Sequence, residues 1–339
     1  MKKIVIYFCC ICLVFSLCAC TAPTNTTEKP LVALIPNGGN IHDNSYNELV
    51  WSGLQSMSDS VSILAVESVE KGEFEQKLTE VVNQNPDLVW ITRIDSPQAV
   101  ADAAFAHPDT TFIVLDAEIE NMPPNLSAVS FKGWEGAFVA GYIAGKTTQT
   151  GRVGFIGGEH ISVIEEFEYG FRGGVAYAAK VTSREISVET SYTGTFSNEG
   201  NIGKLEAEKQ YANGCDIIFQ AAGSCGLGVI EAAKEQNLFV IGVDEDQSAL
   251  APDNVLTSVT KDAGKAVIIQ TGRFLKGEVV GGENYQYGIR ENAVGIAKTR
   301  DNIGTPIYTE ALDIQSQIID GLIVPPYNAQ TYQEFIENL

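Results

Sequence analysis

Positive charge is scarce in this chain, and histidine scarcer. The 339 residues include 22 Lys and Arg against 43 Asp and Glu, a formal charge of −21. Such a chain repels polyanions, which argues against nucleic acid or an anionic phosphate as the main ligand. A neutral solute is not excluded, and solubility alone explains much of the acidity. The three histidines, His42, His107 and His160, lack metal-ligand spacing, and so do the cysteines. No H-E-x-x-H, no G-x-x-x-x-G-K-[ST] and no strand-borne G-x-G-x-x-G occurs, so the usual zinc-hydrolase, P-loop and dinucleotide signatures are missing. Ala222-Gly223-Ser224-Cys225-Gly226 has the outline of a nucleophile elbow. That chemistry needs a histidine after the serine, and all three precede it. The expectation is a binding protein with no catalytic residues, no metal and no cofactor.

Apolar runs long enough to cross a bilayer are also missing, since a spanning helix needs about 20 such residues. Ile4 to Leu17 falls short. It follows Lys2 and Lys3 and leads into Leu17-Cys18-Ala19-Cys20, then polar Thr21-Ala22-Pro23, which is the order of an export signal. A small residue before a cysteine, with Leu three before it, resembles the lipobox of bacterial lipoproteins. Cys20 fits as the lipidated residue; Cys18 would put bulky Leu17 at the cleavage site. The expected protein therefore loses residues 1–19, carries acyl chains such as palmitate on Cys20, and works outside the cytoplasm on the cell membrane. Two or more chains hold stably where one does not. Residues 20–30 read as a polar tether. Loss of the two leader lysines takes the formal charge from −21 to −23. Only Cys215 and Cys225 lie beyond the leader. They fall at opposite ends of one apolar strand, too far apart to bridge at about 3.3 Å per residue.

What is plentiful is the alternation of apolar runs with amphipathic segments. Strand-like runs begin at Leu31, Val61, Leu88, Thr111 and Ala128, and the pattern restarts at Val153, Glu185, Cys215 and Phe239. Helix-like stretches fall between them, among them Ser45–Met57, Pro97–Ala106, Glu135–Thr147 and Ile164–Ala179. Continuous Val/Ile/Leu runs mark buried parallel strands. Two successive series predict an α/β chain of two doubly wound parallel-sheet lobes. The expected boundaries are 31–148 plus 257–282 for the first lobe and 149–256 plus 283–339 for the second. Ligands in such sheets sit beyond the carboxyl ends of the strands. That singles out Asn37, Asp43 to Asn47, Asp116, Gly157-Gly158, Thr195 to Ser197, Ala222-Gly223 and Asp244.

Several ordered motifs carry a family resemblance. They are Ile41-His42-Asp43-Asn44-Ser45-Tyr46-Asn47 with Gly53-Leu54, Trp134 to Gly141, and Gly154 to Gly158 with Phe167 to Phe171. Gly194-Thr195-Phe196, Gly242 to Gln247 and Thr257-Ser258-Val259-Thr260-Lys261 follow. Over about residues 31–320 the chain resembles the basic membrane protein family, the purine nucleoside receptor lipoproteins. The resemblance implies a type I periplasmic-binding-protein fold, with hinged lobes closing on a purine nucleoside and delivering it to an ABC permease. It further implies a monomer, anchored to the membrane through its lipid, with no nucleic-acid partner. Tyr46 and Phe196 match aromatics that sandwich the base. Asp244 matches a carboxylate that accepts from both ribose hydroxyls, and Lys261 a lysine that donates to the sugar and balances Asp244. Gly223 lets the backbone approach, Asp116 reaches the sugar or base, and Asn47 matches the motif's Asn. Phe167 reads as core. Two positions depart from the family pattern. His42 stands where Asp is frequent. Asn37 replaces an Asp that reads the purine edge, and an amide donates as well as accepts, which predicts a weaker preference for guanosine. A receptor or sensor for another neutral solute, such as a pentose, is the alternative.

Overall fold

The computed structural model describes residues 29–36, 39–42, 46–69, 72–92, 96–117, 119–196, 201–278 and 280–339. The expected leader, Cys20, Asn37, Asp43 to Ser45 and Ser197 lie outside these residues.

The apolar runs of the first half form one parallel sheet. Its strands are β1 (Leu31–Ile35), β3 (Ser62–Ala65), β5 (Leu88–Ile91), β6 (Thr111–Leu115) and β7 (Leu126–Phe131), joined at its edge by β13 (Asn284–Tyr287). They lie in the order β13-β7-β6-β5-β1-β3. Two short strands, β2 (Gly39–Asn40) and β4 (Ser68–Val69), pair beside it. Helices α1 (Tyr46–Gln55), α2 (Phe74–Val82) and α3 (Pro97–Ala106) connect the strands. The second sheet contains β8 (Arg152–Gly157), β9 (Ser187–Tyr192), β10 (Ile217–Ala221), β11 (Phe239–Asp244), β12 (Val255–Lys261) and β14 (Val294–Ile296). Its order is β14-β12-β11-β10-β8-β9, with β14 antiparallel. Both sheets are doubly wound, as the run pattern predicts, because strands buried on both faces need helices on both sides.

The second lobe carries α4 (Gly133–Thr147), α5 (Ser162–Thr182), α6 (Ile202–Ala212) and α7 (Cys225–Gln236). It also holds α9 (Thr305–Ile319) and α10 (Ala329–Asn338), while α8 (Ala263–Leu275) returns to the first lobe. Small residues explain how α4 and α5 approach so closely. A Cβ at Gly141 would overlap the Phe171 carbonyl oxygen, and one at Gly174 the Phe138 carbonyl oxygen. On the other lobe Trp90 Nε1 of β5 donates to Thr271 Oγ1 of α8 at 3.0 Å, fully buried.

Three boundaries differ from expectation. The chain leaves the first sheet after Phe131, not near residue 148: α4 packs on the second sheet, where a Cβ at Gly136 would lie 2.8 Å from Val259 Cγ1. The second passage comes after Lys261 rather than near Thr257, because β12 pairs with β11 along its length. The third comes after Tyr287, since β13 pairs in parallel with β7. Asn284-Tyr285-Gln286-Tyr287 is a polar edge strand without the apolar run that marks its neighbours. Backbone hydrogen bonds tie the passages together, from Lys132 N to Tyr287 O and from Asp262 N to Ala293 O, each 2.8 Å. Glu135 on α4 accepts from Ile289 N at 2.8 Å.

Candidate functional site

The two sheets have matching strand order, so equivalent strand ends can be compared. β6 and β11 occupy the same place, as do β7 and β12. Asp116 follows β6 and Asp244 ends β11; both adopt left-handed backbone, with φ of 51° and 67°. Such conformations are rare for non-glycine residues and concentrate at functional turns. At the next strand end of each sheet stand Phe131 and Lys261.

These ends meet. Lys261 Nζ donates to Asp116 Oδ2 at 2.8 Å, joining the two lobes through side chains only 7% and 14% exposed. The ammonium lies 4.5 Å from the centre of the Tyr46 ring, 5.6 Å from Phe131 and 6.0 Å from Phe167. Cation–π attraction of this kind is worth most when desolvated. Burial alone would lower the Lys261 pKa. The charges of Asp116 and Asp244, the hydrogen bond to Asp116 and the charge of Glu166 more than reverse that, so the amine stays protonated above the usual lysine range. Tyr46 is pushed well above the usual phenol range, first by burial and then by Asp116 and Asp244. Its buried hydroxyl lies within the field of Asp116 without a well-formed hydrogen bond. The carboxylate in contact with Lys261 is thus Asp116, while Asp244 adds a second negative charge to the same ammonium.

Phe196 and Gly223 form a second group, in the second lobe. The half-buried Phe196 ring sits against the backbone of Gly158, where a Cβ would overlap it. At Gly223, where φ is 55°, a Cβ would lie 3.2 Å from Phe196 Cβ. A side chain at Gly158 would displace the ring, and one at Gly223 would crowd it on a left-handed backbone. Behind this group a buried amide network fixes the loops. Gln220 Nε2 donates to Gln247 Oε1 at 2.8 Å, Val243 N donates to the same oxygen, and Gln247 N donates to Ser258 Oγ at 3.0 Å. Asn47 is buried one residue after Tyr46 on α1. Phe167 is core, 2% exposed, although its ring reaches toward Lys261. His42 is exposed, its ring 6.2 Å from that of Trp51.

Phe131, Gln220 and Gln247 were absent from the sequence-derived set. Gln220 does carry a signal, an amide in the middle of the apolar run Ile217–Ala221. Phe131 carries none, because an aromatic closing a strand is ordinary core.

The arrangement offers carboxylate acceptors, one ammonium and aromatic faces at the strand ends of both lobes. It suits a ligand with hydroxyls and a flat apolar face better than an anion. Among the described residues no cluster could hold a metal ion, and no helix is long and apolar enough to cross a membrane. Ser224 has ordinary helical backbone, φ −63° and ψ −25°, so it lacks the strained turn of a nucleophile elbow. Cys215 and Cys225 are buried and unbridged. Burial, with Glu189 nearby, pushes the Cys215 thiol up to about 12.

Residues 29–329 match the model of the PnrA-like ABC transporter substrate-binding proteins. The chain is 35% identical to basic membrane protein A of Borreliella burgdorferi over 317 residues, covering 92% of each chain. It is 38% identical to basic membrane protein B of Borrelia garinii over 260 residues, covering 75% of this chain and 73% of that one. A solved solute-binding protein of an ABC transporter system from Aeropyrum pernix superposes with a TM-score of 0.79 at 21% identity, covering 91% of this chain and 97% of that one. At that identity the likeness speaks for the fold.

Proposed function

The chain belongs to the PnrA-like family of ABC transporter substrate-binding proteins, and from that premise we propose that it captures purine nucleosides between its lobes and passes them to a membrane permease. The family is one of extracytoplasmic substrate-binding proteins, which supports reading this chain as a binding protein. The observation that carries the nucleoside reading is the composition of the strand ends. Tyr46 and Phe196 supply one aromatic ring from each lobe, Asp244 and Lys261 supply the polar groups, and Asp116 holds Lys261. A flat base gains burial and dispersion on each face. An ionised carboxylate, which only accepts, suits the paired hydroxyls of a ribose. Asp244 and Lys261 take the sugar in this reading, Tyr46 and Phe196 take the base, Gly223 admits the ligand close to the backbone, and Asn47 and Asn37 order or read the base edge. Closure is a hinge motion about the passages after Phe131, Lys261 and Tyr287.

The same reading holds the protein to the membrane by acyl chains on Cys20. Cys20→Ser should move it from the membrane fraction to the soluble fraction, and retention at the membrane would refute the anchor. The test of the ligand assignment is adenosine binding by Asp244→Asn and Phe196→Ala, each checked for an unchanged melting transition. Losses of about tenfold or more are expected, from one charge-assisted hydrogen bond or one stacking face. Wild-type affinity in both folded variants would overturn it.

A further inference from the structure

The matching strand order exposes an asymmetry between the lobes. Each contributes a left-handed aspartate at the same place, Asp116 and Asp244. At the neighbouring strand end the second lobe has Lys261, whereas the first has Phe131. A single ammonium thus feels the charge of two carboxylates at equivalent places in the two sheets. In the structure it is bonded to the carboxylate of the opposite lobe. The first lobe meets it with a complete receptor for a cation: the Asp116 carboxylate and the faces of Tyr46 and Phe131. When the lobes separate, Asp116, Tyr46 and Phe131 move with the first sheet. Lys261 stays with the second, on the strand beside Asp244, whose backbone is in register with Thr260.

Resting on the reading of this cleft as the ligand site, we propose that Asp116 is a positioning residue that takes over Lys261 from Asp244 as the lobes close, making the Asp116–Lys261 pair a latch between them. With the first lobe packed against it the ammonium is buried and needs a carboxylate, because an unpaired buried charge is costly. In the open protein its carboxylate is Asp244, in the same lobe. Closing moves the countercharge across the cleft and fixes the ammonium where a ligand finds it. The latch acts on the closing equilibrium itself, so it contributes equally to every ligand the cleft accepts.

The test is the distance between spin labels on exposed positions of each lobe, Asp102→Cys and Gln236→Cys, in the ligand-free mature chain. The closed share should fall about tenfold in Asp116→Asn, as expected for losing one charge-assisted hydrogen bond. Lys261→Met should shift it the same way, and Lys261→Arg, which keeps the charge, should retain most of it. Combining Asp116→Asn with Lys261→Met should add little to either alone. Far-UV circular dichroism and a cooperative melt establish that each variant folds. Across a panel of ligands, Asp116→Asn should weaken all affinities by one common factor. Ligand-free distances identical to wild type in both Asp116→Asn and Lys261→Met would overturn the latch, as would a loss in Asp116→Asn that falls on one ligand alone. A wrong ligand assignment would show differently, as absent nucleoside binding with lobe distances still sensitive to both variants.

Discussion

Replacing Lys261 by methionine removes the ammonium while keeping most of the stem's volume. The side chain is 7% exposed and its partner Asp116 14%, so the lost attraction is little screened by water. Breaking one side of a buried pair typically costs about 3–5 kcal/mol, because the remaining charge is left uncompensated. Here Asp244 adds to the repulsion, and the Tyr46 ring loses its cation. Urea unfolding at neutral pH should therefore show Lys261→Met less stable than wild type by about 3 kcal/mol. The pH dependence gives an independent check. The folded-state pKa of Lys261 lies above its ordinary value, which is about 10.4 in an unfolded chain. The stabilisation from its charge is then fully present below about pH 10.4 and is lost as the pH climbs through the folded value. The gap between wild type and variant should accordingly narrow in alkali. A gap below about 1 kcal/mol at neutral pH, the size of an exposed pair, or one that stays constant into strong alkali, would refute the reasoning.

Three further outcomes follow from the same structure and sequence. Gly141→Ala places a Cβ against the Phe171 carbonyl oxygen, and forcing α4 from α5 should cost about 1–3 kcal/mol in denaturant unfolding; wild-type stability would mean the helices pack less closely than described. The negative charges of Asp116, Asp244 and Glu166 around one ammonium should make adenosine 5′-monophosphate bind at least about tenfold more weakly than adenosine in competition assays, and equal affinity would contradict that charge balance. Asn37→Asp should raise the ratio of guanosine to adenosine affinity, since a carboxylate only accepts; an unchanged ratio would remove Asn37 from base selection.

Much of the fold is legible in the sequence because parallel strands buried on both faces spell themselves out. Leu88–Ile91, Thr111–Leu115 and Phe239–Asp244 are continuous apolar runs, and Pro97–Ala106 forms a helix over the residues its pattern suggests. Legibility fails where strands lie at an edge or are short. Asn284–Tyr287 and Val294–Ile296 lack any long apolar run, so the last passages between lobes could not be placed from pattern alone. The candidate site was legible one strand end at a time: Asp116 and Asp244 follow apolar runs, the place where open sheets present side chains to a ligand. The pairing was not legible, because the partner of Lys261 lies 145 residues away in the other lobe. Strand order and hinge geometry decide that contact, and neither is visible in local periodicity. The amide network of Gln220, Gln247 and Ser258 was hidden for the same reason.

The central claim is that the cleft between the lobes takes a purine nucleoside. Titration calorimetry of the chain from Thr21, unfolded and refolded to strip any carried-over ligand, against adenosine, guanosine, inosine, cytidine, uridine and ribose tests it most directly. The account predicts one-to-one binding of purine nucleosides, weaker binding of pyrimidine nucleosides that offer less stacking area, and little or none of ribose. Ribose or another sugar binding while every nucleoside fails would leave the two-lobed fold standing and contradict the nucleoside assignment.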